Sequence, residues 1–308
     1  MRQLAESEGE ETVQFMNSAS TPGPTRRKPS WLTVKPFAGA EFTRVSGLLN
    51  DLHLQTVCQE ANCPNRGECF NRGTAVFLIL GPKCTRNCRF CDVAPGLPSP
   101  IDPSEPLRVA EAARRMNLRH VVITSVTRDD LADGGAAQFA KCIVETRKLL
   151  PESTIEVLTP DLRGDLQALE IVLKETPDVF NHNVETVPRL YQSVRPGADY
   201  LRSLRVLNGA RGRANIWVKS GIMVGLGETV DELKQLFDDL AVNGVSLLTI
   251  GQYLAPSSQH LPVERYLHPD EFDLLREFAN AAGIPTVFSG PLVRSSYLAD
   301  NMMALSRS

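Results

Sequence analysis

Long apolar runs are missing from this 308-residue chain, and no segment approaches the length that spans a bilayer. Neither sign of charge is in excess: 33 Lys and Arg stand against 36 Asp and Glu, for a net charge of −3. That balance gives no reason to expect nucleic acid or an anionic membrane as a partner. A signal peptide is not evident, and Glu6, Glu8, Glu10 and Glu11 make the N-terminus too acidic for an Arg-rich transit peptide. The expected location is the cytoplasm. The cysteine count is odd, seven, with six of them between Cys58 and Cys91, which argues against a secreted disulfide framework. The histidines His53, His120, His182, His260 and His268 show no ligand spacing. No P-loop lysine follows the glycine turn Gly225-Leu-Gly227-Glu-Thr.

What is present is two cysteine triads. Cys84-Thr-Arg-Asn-Cys88-Arg-Phe-Cys91 follows the apolar stretch Thr74-Ala-Val-Phe-Leu-Ile-Leu80, which reads as a buried strand. Three thiolates at this spacing wrap one face of a compact metal centre. Four-iron clusters normally take four thiolates, so three leave one iron open to a ligand. A structural zinc site is the alternative, although zinc favours four ligands in paired short spacings. Lys83, Arg86 and Arg89 would favour thiolate if they face the sulfurs, and otherwise form a solvated rim. The second triad, Cys58, Cys63 and Cys69, is expected on a loop, because Pro64 and Gly67 interrupt regular structure there. It too lacks a fourth ligand. Cys142 lies on an apolar helix and is expected in the core.

Residues 1–30 are polar and read as a mobile N-terminal segment. Phe42, Val45, Leu49 and Leu52 have helical spacing, within an N-terminal extension over 31–73 that carries the upstream cysteines. From 74 to 290 strands and helices alternate. The predicted strands are 74–80, 120–126, 154–158, 178–184, 216–224 and 246–251, with a tail over 291–308. Thr229 and Glu232 form a capping-box pattern, and Pro269, Asp270 and Glu271 open a last helix. Six strand–helix units imply an α/β fold with a parallel sheet, either open or barrel-like, and periodicity does not separate the two. In the strand from Asp178 onward, Asn181, Asn183 and Glu185 share one face, and such a polar row lines a cavity or emerges into solvent.

The Cys84–Cys91 spacing, with Phe90 before the last cysteine, resembles the signature of the radical S-adenosylmethionine (SAM) superfamily. That resemblance implies a partial (β/α)6 TIM-type barrel, with the cluster loop at its C-terminal mouth and SAM chelated on the open iron of a 4Fe-4S cluster. The reduced cluster then cleaves SAM to a 5′-deoxyadenosyl radical. The stretch Thr56 to Cys69, the stretch Ser220 to Thr229 and the C-terminal Arg294-Ser-Ser-Tyr297 narrow the likeness, over roughly residues 30–300, to the lipoyl synthase family. It implies a sulfurtransferase in which Cys58, Cys63, Cys69 and a serine hold an auxiliary 4Fe-4S cluster that is consumed as the sulfur source. The serine role is carried to Ser296, with Ser295 as the alternative. Catalytic roles fall on Cys84, Cys88, Cys91 and Ser296, and SAM contacts on Thr124, Ser125, Asn183, Glu185 and Arg195. The glycine turn at Gly225 would approach the adenine. The implied substrate is an octanoyl-lysine of lipoyl carrier domains (2-oxoacid dehydrogenase E2 subunits and the glycine cleavage H protein), thiolated at C6 and C8. Flavodoxin or ferredoxin is the implied electron donor. A biotin synthase, a methylthiotransferase and a non-enzymatic electron carrier fit less well. Respectively, they call for cluster ligands spread over barrel strands, for a nucleic-acid-binding module, and for no six-unit barrel.

Overall fold

The computed structural model describes residues 27–34, 36–297 and 299. The expected mobile segment, apart from residues 27–30, and the tail beyond Tyr297, apart from residue 299, lie outside the described residues.

Strand β1 (Gln55–Thr56) pairs antiparallel with β2 (Val76–Ile79). Then come β3 (His120–Ser125), β4 (Thr154–Leu158), β5 (Val179–Asn181), β6 (Trp217–Val224), β7 (Leu247–Gln252) and β8 (Thr286–Gly290). They pair in chain order, β1 to β8, and every pairing from β2 onward is parallel. The registers Ile79↔Ser125, Thr124↔Leu158, Leu158↔Asn181, Val224↔Gln252 and Gly251↔Gly290 bring the strands' C-terminal ends to one edge. Such sequential order requires a helix across each parallel step. Because β1 and β8 do not pair, the sheet stays open as a partial barrel.

The helices are α1 (Ala40–Asp51), α2 (Val57–Glu60), α3 (Arg66–Asn71), α4 (Glu105–Arg115), α5 (Ala136–Leu149) and α6 (Leu166–Leu173). After β5 follow α7 (Tyr191–Val194), α8 (Tyr200–Ala210), α9 (Val230–Val242) and α10 (Pro269–Ala281). One core runs between sheet and helices, centred on Phe77, Ile79, Ile123, Phe139, Val157, Phe180, Leu236 and Phe237. Cys142 is fully buried in it, as its apolar neighbours imply. The capping box at Thr229 and Glu232 forms, and His268 with Glu271 makes a second one on α10.

Four features depart from expectation. Helix α4 buries a small-residue face (Val109, Ala110, Ala112, Ala113), too weakly apolar to register as periodic. Strand β8 adds a seventh parallel strand, of which Val287 alone is buried. Strand β5 is only three residues long. Its continuation stays bonded to β6 through His182 N–H to the Lys219 carbonyl and Glu185 N–H to that of Gly221. Glu185 sits at φ 68°, which breaks the regular ladder. Finally, Cys58 and Cys69 lie on the short helices α2 and α3 rather than on a loop. Pro64 precedes the Asn65 cap, where its missing N–H costs nothing, and Gly67 is buried inside α3.

Candidate active site

The downstream triad begins where β2 is forced to turn. Leu80 holds φ 69°, an uncommon conformation for a non-glycine residue, and Gly81 follows at φ 91°. The Leu80 N–H donates to both oxygens of buried Glu105 (3.1 Å each), and its carbonyl accepts from Arg128 Nη1 (3.2 Å). Gln138 Nε2 steadies Glu105 (2.9 Å), so the turn is over-determined. Beyond it, Cys84 bonds Ala94 and Gly96 through its backbone (2.9 Å each), and its Sγ accepts from the Arg86 and Thr127 N–H groups at 3.4 and 3.3 Å.

Arg86 is the anchor of this loop. Its Nε and Nη2 bind Asp129 (2.7 and 2.8 Å), and its Nη1 and Nη2 bind Asp161 (2.8 Å each). The side chain is 7% exposed and Asp161 0%, so reading Arg86 as a solvated rim needs correcting, while its charge does act to lower the Cys88 thiol. It is held by two carboxylates that extend from β3 and β4, in bidentate geometry. Burial pushes the Cys88 thiol up, and carries Cys91 up to about 12. Arg195 opposes the shift at Cys88 more than Arg86 does. Lys83 and Arg89 are exposed. Phe90 packs into an apolar cluster with Val194, Leu226 and Tyr253, which seats the loop against the far side of the mouth.

The predicted SAM residues gather at the strands' C-terminal ends. Glu185 is within electrostatic reach of Cys88, Cys91, Arg195 and Arg294. Burial raises its carboxyl, while Arg195 and the Asn183 amide (Nδ2 to Oε1, 3.1 Å) act to lower it. Arg195 Nη1 donates to the Asn183 carbonyl (2.9 Å), the Val184 carbonyl (3.2 Å) and Tyr191 OH (2.9 Å). Thr124 Oγ donates to the Leu158 carbonyl (2.8 Å), so its proton is already engaged. Ser125 Oγ, Thr159 Oγ1, Asn181 Oδ1, His182 Nε2, Arg195 Nε and Ser289 Oγ are buried without a hydrogen-bond partner among the described residues. Buried polar atoms are rarely left so. Most of them ring the C-terminal ends of β3, β4, β5 and β8, a lining that suits a polar ligand such as SAM. At Gly225 a Cβ would collide with the Arg265 carbonyl and Gln252, so the chain's own packing requires glycine there.

The upstream triad stands on α2 and α3. Burial drives the Cys58 thiol far up and Cys69 up to about 12, with Cys63 adding to both shifts, so the three thiols are neighbours. The C-terminal segment comes back to this triad. Asn65 Nδ2 donates to the Leu292 carbonyl (2.7 Å), and Tyr297 OH donates to Glu68 Oε1 (3.3 Å). Arg294 is within electrostatic reach of Cys63 and Glu185. Ser295 is bonded to Asn181 and Asn183, whereas the Ser296 side chain has no hydrogen bond among the described residues. The described cysteines are all free thiols. Among the described residues no three His, Cys, Asp or Glu side chains close around one ion. A cluster gives each thiolate its own iron, so its holders need not converge.

The radical SAM superfamily matches residues 78–240. The lipoyl synthase of Methylococcus capsulatus is 52% identical over 308 residues, covering 99% of this chain and 96% of its own. That of Nitrosococcus oceani is 54% identical, covering 91% and 87%. The chain belongs to the lipoyl synthase family. It is a radical SAM sulfurtransferase that uses SAM and two 4Fe-4S clusters. Solved structures share the fold. Methylornithine synthase aligns at TM-score 0.51 and 14% identity, over 79% of this chain and 81% of that one. The FeFe-hydrogenase maturase of Carboxydothermus hydrogenoformans aligns at 0.53 and 15%, over 75% and 65%.

The sequence reading missed Asp129, Asp161, Asn65 and Glu68. An acidic residue just past each of two neighbouring strands, with an arginine in the loop after the strand before them, was the available signal for the Arg86 clamp.

Proposed function

We propose that Cys84, Cys88 and Cys91 hold the cluster that binds SAM, and that Cys58, Cys63, Cys69 and Ser296 hold the auxiliary cluster. One observation carries this reading. Glu185 is in electrostatic reach of Cys88 and Cys91, and Arg294 beside it is in reach of Cys63. A substrate chain placed at that point has both centres at hand. The family's reaction inserts two sulfur atoms, at C6 and C8 of a protein-bound octanoyl-lysine, each replacing a hydrogen. When bound, SAM and the clusters supply what no side chain can, a radical that removes hydrogen from an unactivated C–H bond and the sulfur that takes its place.

The chain's residues bind and orient. Arg195 pairs the SAM carboxylate with guanidinium edges left free by its Nη1 contacts. Glu185 and Asn183 take the ribose hydroxyls or the amino group, and Ser125 Oγ offers an unspent hydroxyl at the end of β3. Thr124 contributes an acceptor only, its proton being committed to Leu158. Buried thiols must lose their protons to take iron, so assembly releases protons and strengthens as pH rises.

Lipoyl carrier domains (2-oxoacid dehydrogenase E2 subunits and the glycine cleavage H protein) are the proposed partners, with flavodoxin or ferredoxin as donor. No helix of the described residues is long and apolar enough to cross a membrane. The free cysteines suit a reducing compartment, for which we propose the cytoplasm. The deciding experiment is anaerobic incubation with SAM, reductant and an octanoyl-lysyl peptide, read by mass spectrometry. The expected product carries two sulfurs in place of two hydrogens, alongside 5′-deoxyadenosine. Deoxyadenosine with an unchanged peptide, from protein loaded with both clusters, would overturn the substrate. Zinc without iron in anaerobically prepared protein would overturn the clusters.

A further inference from the structure

The segment Leu292–Tyr297 is gripped from two sides. From the upstream triad come Asn65, on the Leu292 carbonyl, and Glu68, on Tyr297 OH. From inside the barrel comes a continuous polar chain. Lys219 Nζ donates to both oxygens of Glu156 (2.9 and 3.0 Å), and both side chains are 1% exposed. Asn181 Nδ2 donates to Glu156 Oε1 (2.8 Å) and to Ser295 Oγ (2.9 Å). Ser295 Oγ in turn donates to Asn183 Oδ1 (2.9 Å), whose Nδ2 reaches Glu185. The strands make room for this. A Cβ at Gly251 would collide with the Val293 carbonyl oxygen, and a Cβ at Gly221 would lie 2.8 Å from Asn183 Oδ1.

We infer that Ser295 is a positioning residue. Its hydroxyl, docked between Asn181 and Asn183 while Val293 fills the Gly251 notch, seats the tail so that Ser296 faces the upstream cysteines. The inference rests on the assignment of Ser296 as the auxiliary ligand and explains why it is not Ser295. The Ser295 proton is given to Asn183 and a lone pair accepts from Asn181, so ligating iron would cost both bonds. Ser295 and Ser296 are the two central residues of a turn closed by the Tyr297 N–H on the Arg294 carbonyl (2.9 Å), so anchoring the first serine in the barrel fixes the backbone from which the second projects. The polar chain is anchored deep in the barrel by a buried ion pair, so the seat is set by the fold and not by the metal.

The test uses holoprotein in which Cys84, Cys88 and Cys91 are replaced by Ala, so that only the upstream centre holds iron. Two readouts are followed: iron release to a chelator, and amide hydrogen exchange over 292–297. Ser295→Ala and Gly251→Ala are each expected to speed both by about tenfold, the loss of one or two hydrogen bonds of ordinary strength. Asn181 reaches the tail through Ser295, so Ser295→Ala/Asn181→Ala is expected to release iron no faster than Ser295→Ala alone. Native rates in both Ser295→Ala and Gly251→Ala would overturn the inference, as would effects of Ser295→Ala and Asn181→Ala that multiply. Ser296→Ala releasing iron at the native rate would instead sink the ligand assignment, whatever Ser295 does.

Discussion

The two cysteine triads solve one problem in different ways. The downstream triad sits on a loop with no helix of its own, fixed by charge. Arg86 is tied bidentately to Asp129 and Asp161, and Leu80 is pinned between Glu105 and Arg128. All of these anchors come from the barrel that carries the loop. The upstream triad stands on two short helices, and its contacts to the barrel mouth pass through a segment more than two hundred residues further along. A centre used to bind and cleave a cofactor repeatedly gains from a permanent frame. One that gives up its sulfur needs an edge that opens without unfolding the barrel, and the proposed Ser296 ligand, an oxygen poorly matched to iron beside thiolate, would be the corner that yields.

Removing single ligands should break the comparison most sharply. Cys88→Ala is expected to abolish both deoxyadenosine and product. Cys63→Ala should abolish the sulfur product while deoxyadenosine still forms, as measured by chromatography of single-turnover mixtures. Equal loss of deoxyadenosine in both would mean that the triads form one functional unit. The next largest effect is on the support of the tail. Burial would raise the Glu156 carboxyl, but Lys219, with His120 and Asn181, holds it down to about 2. A folded value below the unfolded one of about 4.3 gives stability that is present above that pH and is lost as pH falls toward 2. Glu156→Gln leaves Lys219 buried without its charge partner, at a cost of about 3–5 kcal/mol. A thermal-melt series from pH 7 to 3 should show the wild type losing its advantage below about pH 4. A variant with the wild-type melting point at pH 7 would refute this.

Asp161→Asn tests the downstream frame. Arg86 keeps Asp129, so the cost is that of charge-assisted bonds, about 2 kcal/mol in denaturant titration. Deoxyadenosine formation should fall, while iron at the upstream triad is retained. Iron loss at the upstream triad instead would deny the clamp its local role.

The parts visible in advance were those written in local pattern. Val76–Ile79, Thr154–Leu158 and the Thr229 capping box depend on neighbours in sequence, and so does the spacing of both triads. What stayed hidden is carried by partners far along the chain. Arg86 meets Asp161 across 75 positions, and Asn65 meets Leu292 across 227. Nothing in the residue type of Arg86 separates a buried clamp from a solvated rim. Helix α4 and strand β8 were hidden for another reason: one buries mostly small residues, the other a single valine. The polar row Asn181, Asn183, Glu185 was legible as either a lined cavity or a strand end emerging into solvent. That its first two members would hold a serine from the tail was not, since period-two alternation tells which face a residue takes but not what comes to meet it.

The smallest expected effect separates helical framing from charge framing in the upstream triad itself. Thr56 caps α2: its Oγ accepts from the Gln59 N–H (3.3 Å) and donates to Gln59 Oε1 (2.8 Å). A four-residue helix has too few internal bonds to hold itself, so its cap and its packing against β2 carry it. Thr56→Ala should cost about 1 kcal/mol of global stability. Thr56→Ser, which keeps the oxygen, should recover most of it. Because Cys58 is the second residue of that helix, the same loss should appear as a modestly faster release of iron from the upstream centre, with deoxyadenosine formation unchanged. If Thr56→Ala left stability and iron release both at wild-type values, the short helices would be held by the cysteines' bound centre rather than by their own caps. The upstream triad would then be the one framed by its metal, and the downstream triad the one framed by the fold.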